Sequence, residues 1–315
     1  METTRGTITR RQCLTGMAAA TAASLAPGLL RSESKRTFLI VAISEETLAG
    51  ANVNDARAAY RVWIREVGNQ YGIRTAEPVP DIFISSNDII RDVREGAIDC
   101  YGVTALEFAK IADLTDPDSL VVQDYFSDGM EYVLIVHNQS RFKTVSDLRG
   151  ANIIAHLHRD MVLLPAWLSV TLADNNLPAP ESFFASLKFN ASLTQVVLPV
   201  FFRRLDGACL ARQNWETAME LNPQLGRDLQ TLVVSPKIVP NVFGFRRGTN
   251  ASLRKALIDS IQRVSTVTAG AQIVALYQSK GFALRPISVM KDTLEIVRRY
   301  ERLKAQPAGL SKGRR

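Results

Sequence analysis

The fold is decided by residues 187–223, which read LKFNASLTQVVLPVFFRRLDGACLARQNWETAMELNP. Their apolar spacing predicts an amphipathic helix over 192–202, a short buried strand over 206–210 and a second helix after that strand. The same order occurs earlier in the chain, with a helix over 86–94, a strand within 98–103 and a helix from Thr104. Two copies of one helix–strand–helix unit predict two similar lobes, and two lobes predict a cleft between them.

The rest of the chain alternates short apolar runs with helical patterns. Predicted strands cover 38–43, 81–84, 131–138, 151–157 and 241–246, and a further predicted strand enters Ser235-Pro236. Predicted helices cover 54–70, 105–111, 161–174, 250–268, 271–279 and 292–303. This alternation is typical of an α/β protein with mixed, mainly parallel sheets flanked by helices. Because no third copy of the unit follows Pro240, the simplest topology returns the chain to the first lobe. We therefore predict lobe 1 over 35–132, lobe 2 over 133–238, completion of lobe 1 over 239–303 and a basic tail over 304–315, with two hinge strands at the crossings.

The first 34 residues differ in kind from the remainder. Arg10 and Arg11 precede Leu14 and a short run of small and apolar residues. This pattern is typical of a cleaved secretory signal, and the arginine pair resembles the twin-arginine export signal. A disordered basic tail is the alternative. The signal predicts an exported, periplasmic protein.

Composition and motifs exclude several classes of function. The 315 residues carry a net charge of +7, 46% of them are hydrophobic, and the positive charge is spread along the chain. A nucleic-acid-binding protein would show a basic stripe with interleaved aromatic residues. The three histidines lack the partners of a zinc site, and no phosphate loop or nucleophile elbow occurs. From these observations we predict that the protein binds no metal and no cofactor and is not an enzyme. Cys100 and Cys209 fall in different repeats and are predicted to be buried free thiols.

Candidate ligand contacts follow from the predicted sheets, because ligands of such sheets bind at the carboxyl ends of the strands. In lobe 1 this edge would carry Ser44, Tyr101 and Thr104. Tyr101 would either stack on a ligand or pack in the core.

In lobe 2, residues His158, Arg159 and Asp160 open a predicted helix, whose free N–H groups attract anions. Asp160 would either cap that helix or face the ligand. Arg159 would either contact the ligand or be solvated. His158 would either titrate near neutral pH or pack in the protein.

Several segments together resemble a known family over about residues 37–299. They are the first strand ending at Ser44, EGAIDCYGV at 95–103, DLRG at 147–150, DGA at 206–208, and Asn222-Pro223 followed by VVSPKIVPN at 233–241. In this order and spacing they are similar to the periplasmic substrate-binding proteins of phosphate, phosphite and phosphonate importers.

The resemblance implies a two-lobed type II periplasmic-binding-protein fold that closes on a small, anionic ligand. It implies a protein that delivers the ligand to an ABC permease, or signals to a membrane sensor, and catalyses no reaction. We expect the protein to be a monomer. The binding positions it implies are the two groups above together with Ser192 and Thr194 at the start of the next helix.

The chain departs from the family at two of these positions. Where phosphonate-binding members have Ser-Thr-Ser before Leu-Leu-Pro, this sequence has His158-Arg159-Asp160-Met161-Val162. Where they have Gly-Ser-His-Asp, it has Ala191-Ser192-Leu193-Thr194. An aspartate at the helix start repels an oxyanion, although Arg159 offsets that charge. We therefore predict the family's fold with a changed ligand.

Two alternatives belong to other classes of function. One is an enzyme with His158 and Asp160 as acid and base, although residues two apart do not share a helical face. The other is a sensor or interaction protein whose cleft has degenerated.

Overall fold

The computed structural model describes residues 40–48, 52–72 and 82–305. The predicted export signal over 1–34 lies outside the described residues, as does all but the first two residues of the predicted basic tail.

Eleven strands and eleven α-helices are formed by the described residues. The strands are β1 (Val41–Ser44), β2 (Phe83–Ile84), β3 (Cys100–Thr104), β4 (Leu120–Gln123), β5 (Tyr132–His137), β6 (Asn152–His156), β7 (Ser186–Asn190), β8 (Gly207–Ala211), β9 (Leu229–Val234), β10 (Asn241–Phe245) and β11 (Phe282–Arg285). The helices are α1 (Val53–Tyr71), α2 (Ser86–Arg94), α3 (Ala105–Phe108), α4 (Leu164–Asp174), α5 (Pro180–Phe183), α6 (Leu193–Phe201), α7 (Arg212–Leu221), α8 (Pro223–Asp228), α9 (Ala251–Gln262), α10 (Thr268–Leu276) and α11 (Lys291–Ala305).

The strands form two mixed sheets. The first has the order β11-β4-β10-β3-β1-β2, with β3, β1 and β2 parallel to one another and β10 and β11 antiparallel to their neighbours. The second has the order β7-β6-β8-β5-β9, in which β5 is antiparallel to both of its neighbours. In each sheet, a strand that has crossed from the other sheet lies beside the central parallel strand.

The two predicted copies of the helix–strand–helix unit hold equivalent places in the two sheets. The first copy is α2, β3 and α3, and the second is α6, β8 and α7. Strand β3 lies between β1 and the crossed strand β10, and β8 lies between β6 and the crossed strand β5. The internal repeat predicted from the sequence is therefore present in the fold.

Two crossing segments join the sheets and pair with each other. Met130 N–H donates to the Ile238 carbonyl at 2.8 Å, and Ile238 N–H donates to the Met130 carbonyl at 2.7 Å. Helix α11 packs on α4 and fixes the second crossing, since Thr293 Oγ1 accepts from Val239 N–H at 2.9 Å. Each crossing is thus a short extended segment of the kind that absorbs a hinge rotation.

Both faces of each sheet are covered, so buried residues alternate between two clusters along one strand. In β3, Tyr101 and Val103 pack in one hydrophobic cluster, whereas Cys100 packs in another on the opposite face. The second sheet has a separate cluster under α6 and α7, around Val196 and Trp215. Cys100 and Cys209 are free and buried, as predicted.

The structure differs from the sequence prediction in several elements. Strands β4, β7 and β11 were not predicted, and β7 is a half-exposed edge strand without a continuous apolar run. The helix predicted from residue 161 begins at Leu164, because Pro165 fits the first turn of a helix and not its interior. The helix predicted over 250–268 ends at Gln262, and a 3-10 turn precedes α10. No helix among the described residues is both long and apolar enough to cross a membrane.

Candidate functional site

A buried carboxylate joins the carboxyl ends of three strands in the first sheet. Glu107, 3% exposed, accepts from the Ser44 hydroxyl at 2.5 Å and from the Ser86 hydroxyl on one oxygen. Its other oxygen accepts from the N–H and the hydroxyl of Thr104, at 2.7 and 2.8 Å. Ser44 and Thr104, both predicted as site residues, are therefore brought together, but Glu107 occupies the donors that they present.

Thr104 and Glu107 form a capping box at the start of α3, in which each side chain binds the other's backbone N–H. The spacing of three residues was visible in the sequence, but the two serines that share the carboxylate come from distant elements. Ser44 also links this group to the next turn, because its carbonyl accepts from the Thr47 hydroxyl at 2.8 Å.

Tyr101 is not brought together with Ser44 and Thr104. Its ring is fully buried in the cluster on one face of the sheet, and its hydroxyl lies 2.5 Å from Thr115 Oγ1. Thr115 pairs with Arg246, which follows the end of the antiparallel strand β10, so the hydroxyl points to the amino-terminal end of β3. Burial raises the pKa of Tyr101.

In lobe 2, the three predicted residues at the helix start form one compact polar group. Asp160 Oδ2 lies 3.1 Å from His158 Nδ1, and Asp160 Oδ1 lies 3.9 Å from Arg159 Nε. The side chains of Arg159 and Asp160 are each 8% exposed. The Asp160 carbonyl accepts from the hydroxyl of Tyr132 at 2.5 Å, so β5 holds the turn in place. Asp160 does not cap α4, which has no side-chain cap.

Arg159 crosses from lobe 2 to lobe 1. Its Nη1 donates to the Leu276 carbonyl at 2.7 Å, at the carboxyl end of α10, where unpaired carbonyls favour a cation. Burial lowers the pKa of Arg159, while Asp160, Tyr277 and Tyr125 act in the opposite direction. For the nearby Tyr125 hydroxyl, burial has the opposite effect and raises the pKa to about 12. Among the described residues, Arg159 Nε is buried without a hydrogen-bond partner.

His156 also belongs to this polar group, although it was not predicted from the sequence. Its ring stacks on that of His158, with centroids 5.5 Å apart and an interplanar angle of 9°. His156 Nε2 donates to the Ala191 carbonyl at 3.2 Å, and the Asn214 amide lies 3.3 Å from its Nδ1. Burial lowers its pKa and so favours the neutral imidazole. A single histidine at the end of a strand gives no sequence signal that separates this role from ordinary packing.

Ser192 and Thr194 lie at the start of α6 with exposed side chains. Ser192 N–H donates to Asn190 Oδ1 at 2.8 Å. The preceding residue, Ala191, contacts His156, so this helix start lies next to the group of His158, Arg159 and Asp160.

The site as a whole combines one buried cation with two buried carboxylates. Arg159 is the cation at the junction of the lobes, while Asp160 lies beside it and Glu107 accepts the hydrogen bonds of Ser44 and Thr104. No group of three or more histidine, cysteine or acidic side chains that could hold a metal occurs in the described part of the chain.

The sequence matches one protein-family model over residues 51–285. That family is described as the phosphonate ABC transporter periplasmic substrate-binding protein. Comparison with curated protein sequences gives no match.

Solved structures with a similar fold have low sequence identity. XAC2383 from Xanthomonas citri, bound to chloride ion, is 15% identical with a TM-score of 0.55, covering 85% of this chain and 99% of that chain. The same protein bound to ATP gives a TM-score of 0.54 at 15% identity, covering 85% and 98%. PhnD1 from Prochlorococcus marinus (MIT 9301), in complex with methylphosphonate, gives 0.50 at 15% identity, covering 84% and 99%. These similarities confirm the predicted two-lobed type II fold.

Proposed function

The chain belongs to the periplasmic substrate-binding protein family of phosphonate ABC transporters, and from this premise we propose that it captures a small ligand with one anionic group between its lobes. The family and the fold are those of solute-binding proteins that catalyse no reaction. In this proposal the ligand stabilises the closed arrangement of the lobes, and an ABC-type permease recognises that arrangement and receives the ligand.

The observation that carries the proposal is the placement of Arg159. Its guanidinium is buried at the junction of the lobes and reaches the Leu276 carbonyl, yet its Nε, 3.9 Å from Asp160 Oδ1, has no hydrogen-bond partner among the described residues. An anionic group beside Arg159 would pair with that N–H in a desolvated position, where a charge-assisted hydrogen bond is strongest.

Two carboxylates limit the charge of the ligand in this proposal. Asp160 lies at the helix start where phosphonate-binding relatives have hydroxyl groups, and Glu107 binds the hydroxyls of lobe 1. A dianion such as a phosphonate would meet both negative charges in a site with a single arginine. A monoanion such as a carboxylate or sulfonate needs only Arg159. We propose His158, Ser192 and Thr194 as further contacts, while Tyr101 would act through packing.

The division into lobes, the export route and the oligomeric state are further parts of the proposal. We propose lobes over 35–132 with 239–303 and over 133–238, in keeping with the division of strands between the two sheets. The Arg10-Arg11 pair supports export by the twin-arginine route to the periplasm, where the family's proteins act. We propose that the protein is a monomer.

A thermal-shift screen tests the proposal. Carboxylates, sulfonates, phosphate, methylphosphonate, amino acids and cationic amines would be added to the purified protein up to millimolar concentration. A ligand at 100 times its dissociation constant stabilises the folded state by about 2.7 kcal/mol and shifts the melting temperature by several degrees. We expect a shift with one class of monoanion that is lost in Arg159→Gln and retained in Arg204→Gln, which removes an exposed arginine. A shift given only by dianions or cations, or one that Arg159→Gln leaves intact, contradicts the proposal.

The second candidate is a protein that signals to a membrane partner without capturing a ligand. The direct bond between Arg159 and the Leu276 carbonyl favours it, because that bond joins the two lobes without a ligand. Small-angle scattering separates the two. A radius of gyration that falls on adding the ligand supports capture, whereas the same compact value with every compound supports signalling.

A further inference from the structure

A groove at the far end of lobe 2 from the cleft gathers cationic and hydrogen-bond-donating side chains. It has a volume of about 370 Å³, and its polar lining is His137, Ser140, Arg141, Arg203 and Asp206. The end of β5 lies here beside Gly207, the first residue of β8, whereas the last residue of β8, Ala211, pairs with Tyr132 at the other end of β5. None of these residues belongs to the site described above.

The hydrogen bonds of His137 leave one donor without an acceptor. The Gln139 N–H lies 3.2 Å from His137 Nδ1, and Arg203 Nε–H lies 3.4 Å from His137 Nε2. A neutral imidazole has one acceptor nitrogen and one N–H, so it cannot accept both bonds. With Nδ1 accepting the shorter one, Nε2–H and Arg203 Nε–H are two donors on nitrogens 3.4 Å apart. An anion oxygen beside this pair, at the apex of a triangle with the two nitrogens, would accept from both.

Two further groups complete the set of donors. Ser140 Oγ is buried and has no hydrogen-bond partner among the described residues. The Arg203 guanidinium is oriented by a bond from its Nη2 to Gln139 Oε1. Arg141 adds a second positive charge to the lining. The nearby Asp206 carboxylate is already bound to Asn152 N–H at 2.7 Å.

The backbone of Arg203 is held in a conformation that costs free energy. Its φ is 56°, in the left-handed region, which a non-glycine residue adopts at a cost of about 1 to 2 kcal/mol. Arg203 N–H bonds to the Val200 carbonyl and Arg204 N–H to the Pro199 carbonyl, the pattern of a Schellman helix end in which this position is usually glycine. Strain of this kind is concentrated at binding sites, where a side chain is needed despite its backbone cost.

We propose that this groove is a second binding site, and that it takes a phosphate group. A tetrahedral oxyanion has enough acceptors for His137 Nε2–H, Arg203 Nε–H and the Ser140 hydroxyl at once, and its double charge matches the two arginines. The other charges near His137 are Asp228 and Asp206, which limit the site to a modest affinity. The group would come either from inorganic phosphate or from a phosphomonoester. The site is independent of the ligand in the cleft.

Isothermal titration calorimetry with inorganic phosphate and with glycerol phosphate, at low ionic strength, tests this site. The proteins compared would be wild type, Arg159→Gln to remove the cleft arginine, Arg203→Gly, Arg203→Ala, and Arg204→Ala as the control for loss of a neighbouring charge. We expect Arg203→Gly and Arg203→Ala to weaken binding by roughly tenfold or more, as loss of a charged hydrogen bond predicts. Arg159→Gln and Arg204→Ala would bind as wild type does. Proton NMR provides a second readout, because only three histidines occur in the sequence and the His137 ring signal should shift on titration.

The glycine variant separates binding from stability. Arg203→Gly relieves the left-handed strain, so its melting temperature should rise while phosphate binding falls. Tighter binding of inorganic phosphate than of glycerol phosphate would identify free phosphate as the source, and the reverse would identify a monoester. Three outcomes overturn the proposal. The first is that wild type shows no binding at phosphate concentrations up to about 10 mM, which would saturate a site of millimolar affinity. The others are unchanged phosphate binding in both Arg203 variants, and a loss of binding in Arg204→Ala equal to that in the Arg203 variants.

Discussion

Substitution of Glu107 tests whether lobe 1 depends on the buried carboxylate or only on its hydrogen bonds. Four donors end on this side chain: the Thr104 N–H, the Thr104 hydroxyl, and the hydroxyls of Ser44 and Ser86. In Glu107→Ala the Thr104 N–H loses its partner, the two serine hydroxyls lose theirs, and a cavity remains. An orphaned buried donor costs about 1 to 3 kcal/mol, and breaking a buried charged network costs about 3 to 5 kcal/mol in total.

Glu107→Gln should cost far less, about 1 kcal/mol. The amide oxygen still accepts from Thr104, and the amide nitrogen donates to the Ser44 and Ser86 hydroxyls, which can turn to accept. The variant therefore keeps every contact and loses only the charge-assisted part of each bond.

Urea unfolding monitored by tryptophan fluorescence measures both costs, since Trp63 packs in lobe 1 and Trp215 in lobe 2. Glu220→Ala, at an exposed position of α7, is the control and should stay within about 0.5 kcal/mol of wild type. If Glu107→Gln costs as much as Glu107→Ala, the charge and not the hydrogen-bond count stabilises the lobe. If Glu107→Ala costs less than about 1 kcal/mol, the network reasoning is wrong.

Three other predictions follow from burial and close packing. Because burial lowers the pKa of His156, this histidine binds a proton more tightly in the unfolded protein than in the folded protein, and the free energy of unfolding should fall as the pH decreases below about 6.5. Urea unfolding at several pH values should show a smaller slope for His156→Gln. An unchanged slope in that variant would contradict the assignment. Gly102→Ala would place a Cβ 2.6 Å from Phe243 Cε1 and should destabilise the protein by about 1 to 3 kcal/mol in thermal unfolding, so a neutral variant would show that β3 can shift. Burial raises the pKa of Cys209 to about 12, and a thiol reagent at pH 8 should leave Cys209 unmodified until denaturant is added; rapid modification of the native protein, located by mass spectrometry, would contradict its burial.

The architecture was predictable because its main features are local. Apolar residues recur with the same spacing in two stretches of the chain, one forming α2 and β3 and the other forming α6 and β8. The spacing therefore predicts the same helix–strand unit twice, and each unit must bury its apolar face against a sheet. The missing third copy after Pro240 indicated that the chain returns to the first sheet, where β10 now lies. The capping pair of Thr104 and Glu107 was likewise a local spacing.

The elements that were missed have weak local signals. Strand β7 is a half-exposed edge strand with little apolar content, and its pairing with β6 is decided by the sheet and not by its own residues. The short strand β4 becomes fully buried only because β10 and β11, from far along the chain, pair on its two sides.

Some features of the candidate site were likewise predictable from the sequence, and others were decided only by the packing of distant elements. Sequence alone determined that Ser44 and Thr104 lie at strand ends and that Arg159 lies in the segment before a helix, because those positions follow from local periodicity. Only the tertiary structure decided that Glu107 takes the hydroxyls of lobe 1 and that Arg159 reaches the Leu276 carbonyl, 117 residues away in the chain. The tertiary structure also places the Tyr101 side chain in the core. Both faces of strand β3 are covered, and the alternation of side chains along a strand does not determine which face meets a ligand. Contacts between residues so far apart depend on how helices and sheets pack, and that arrangement is a property of the whole chain.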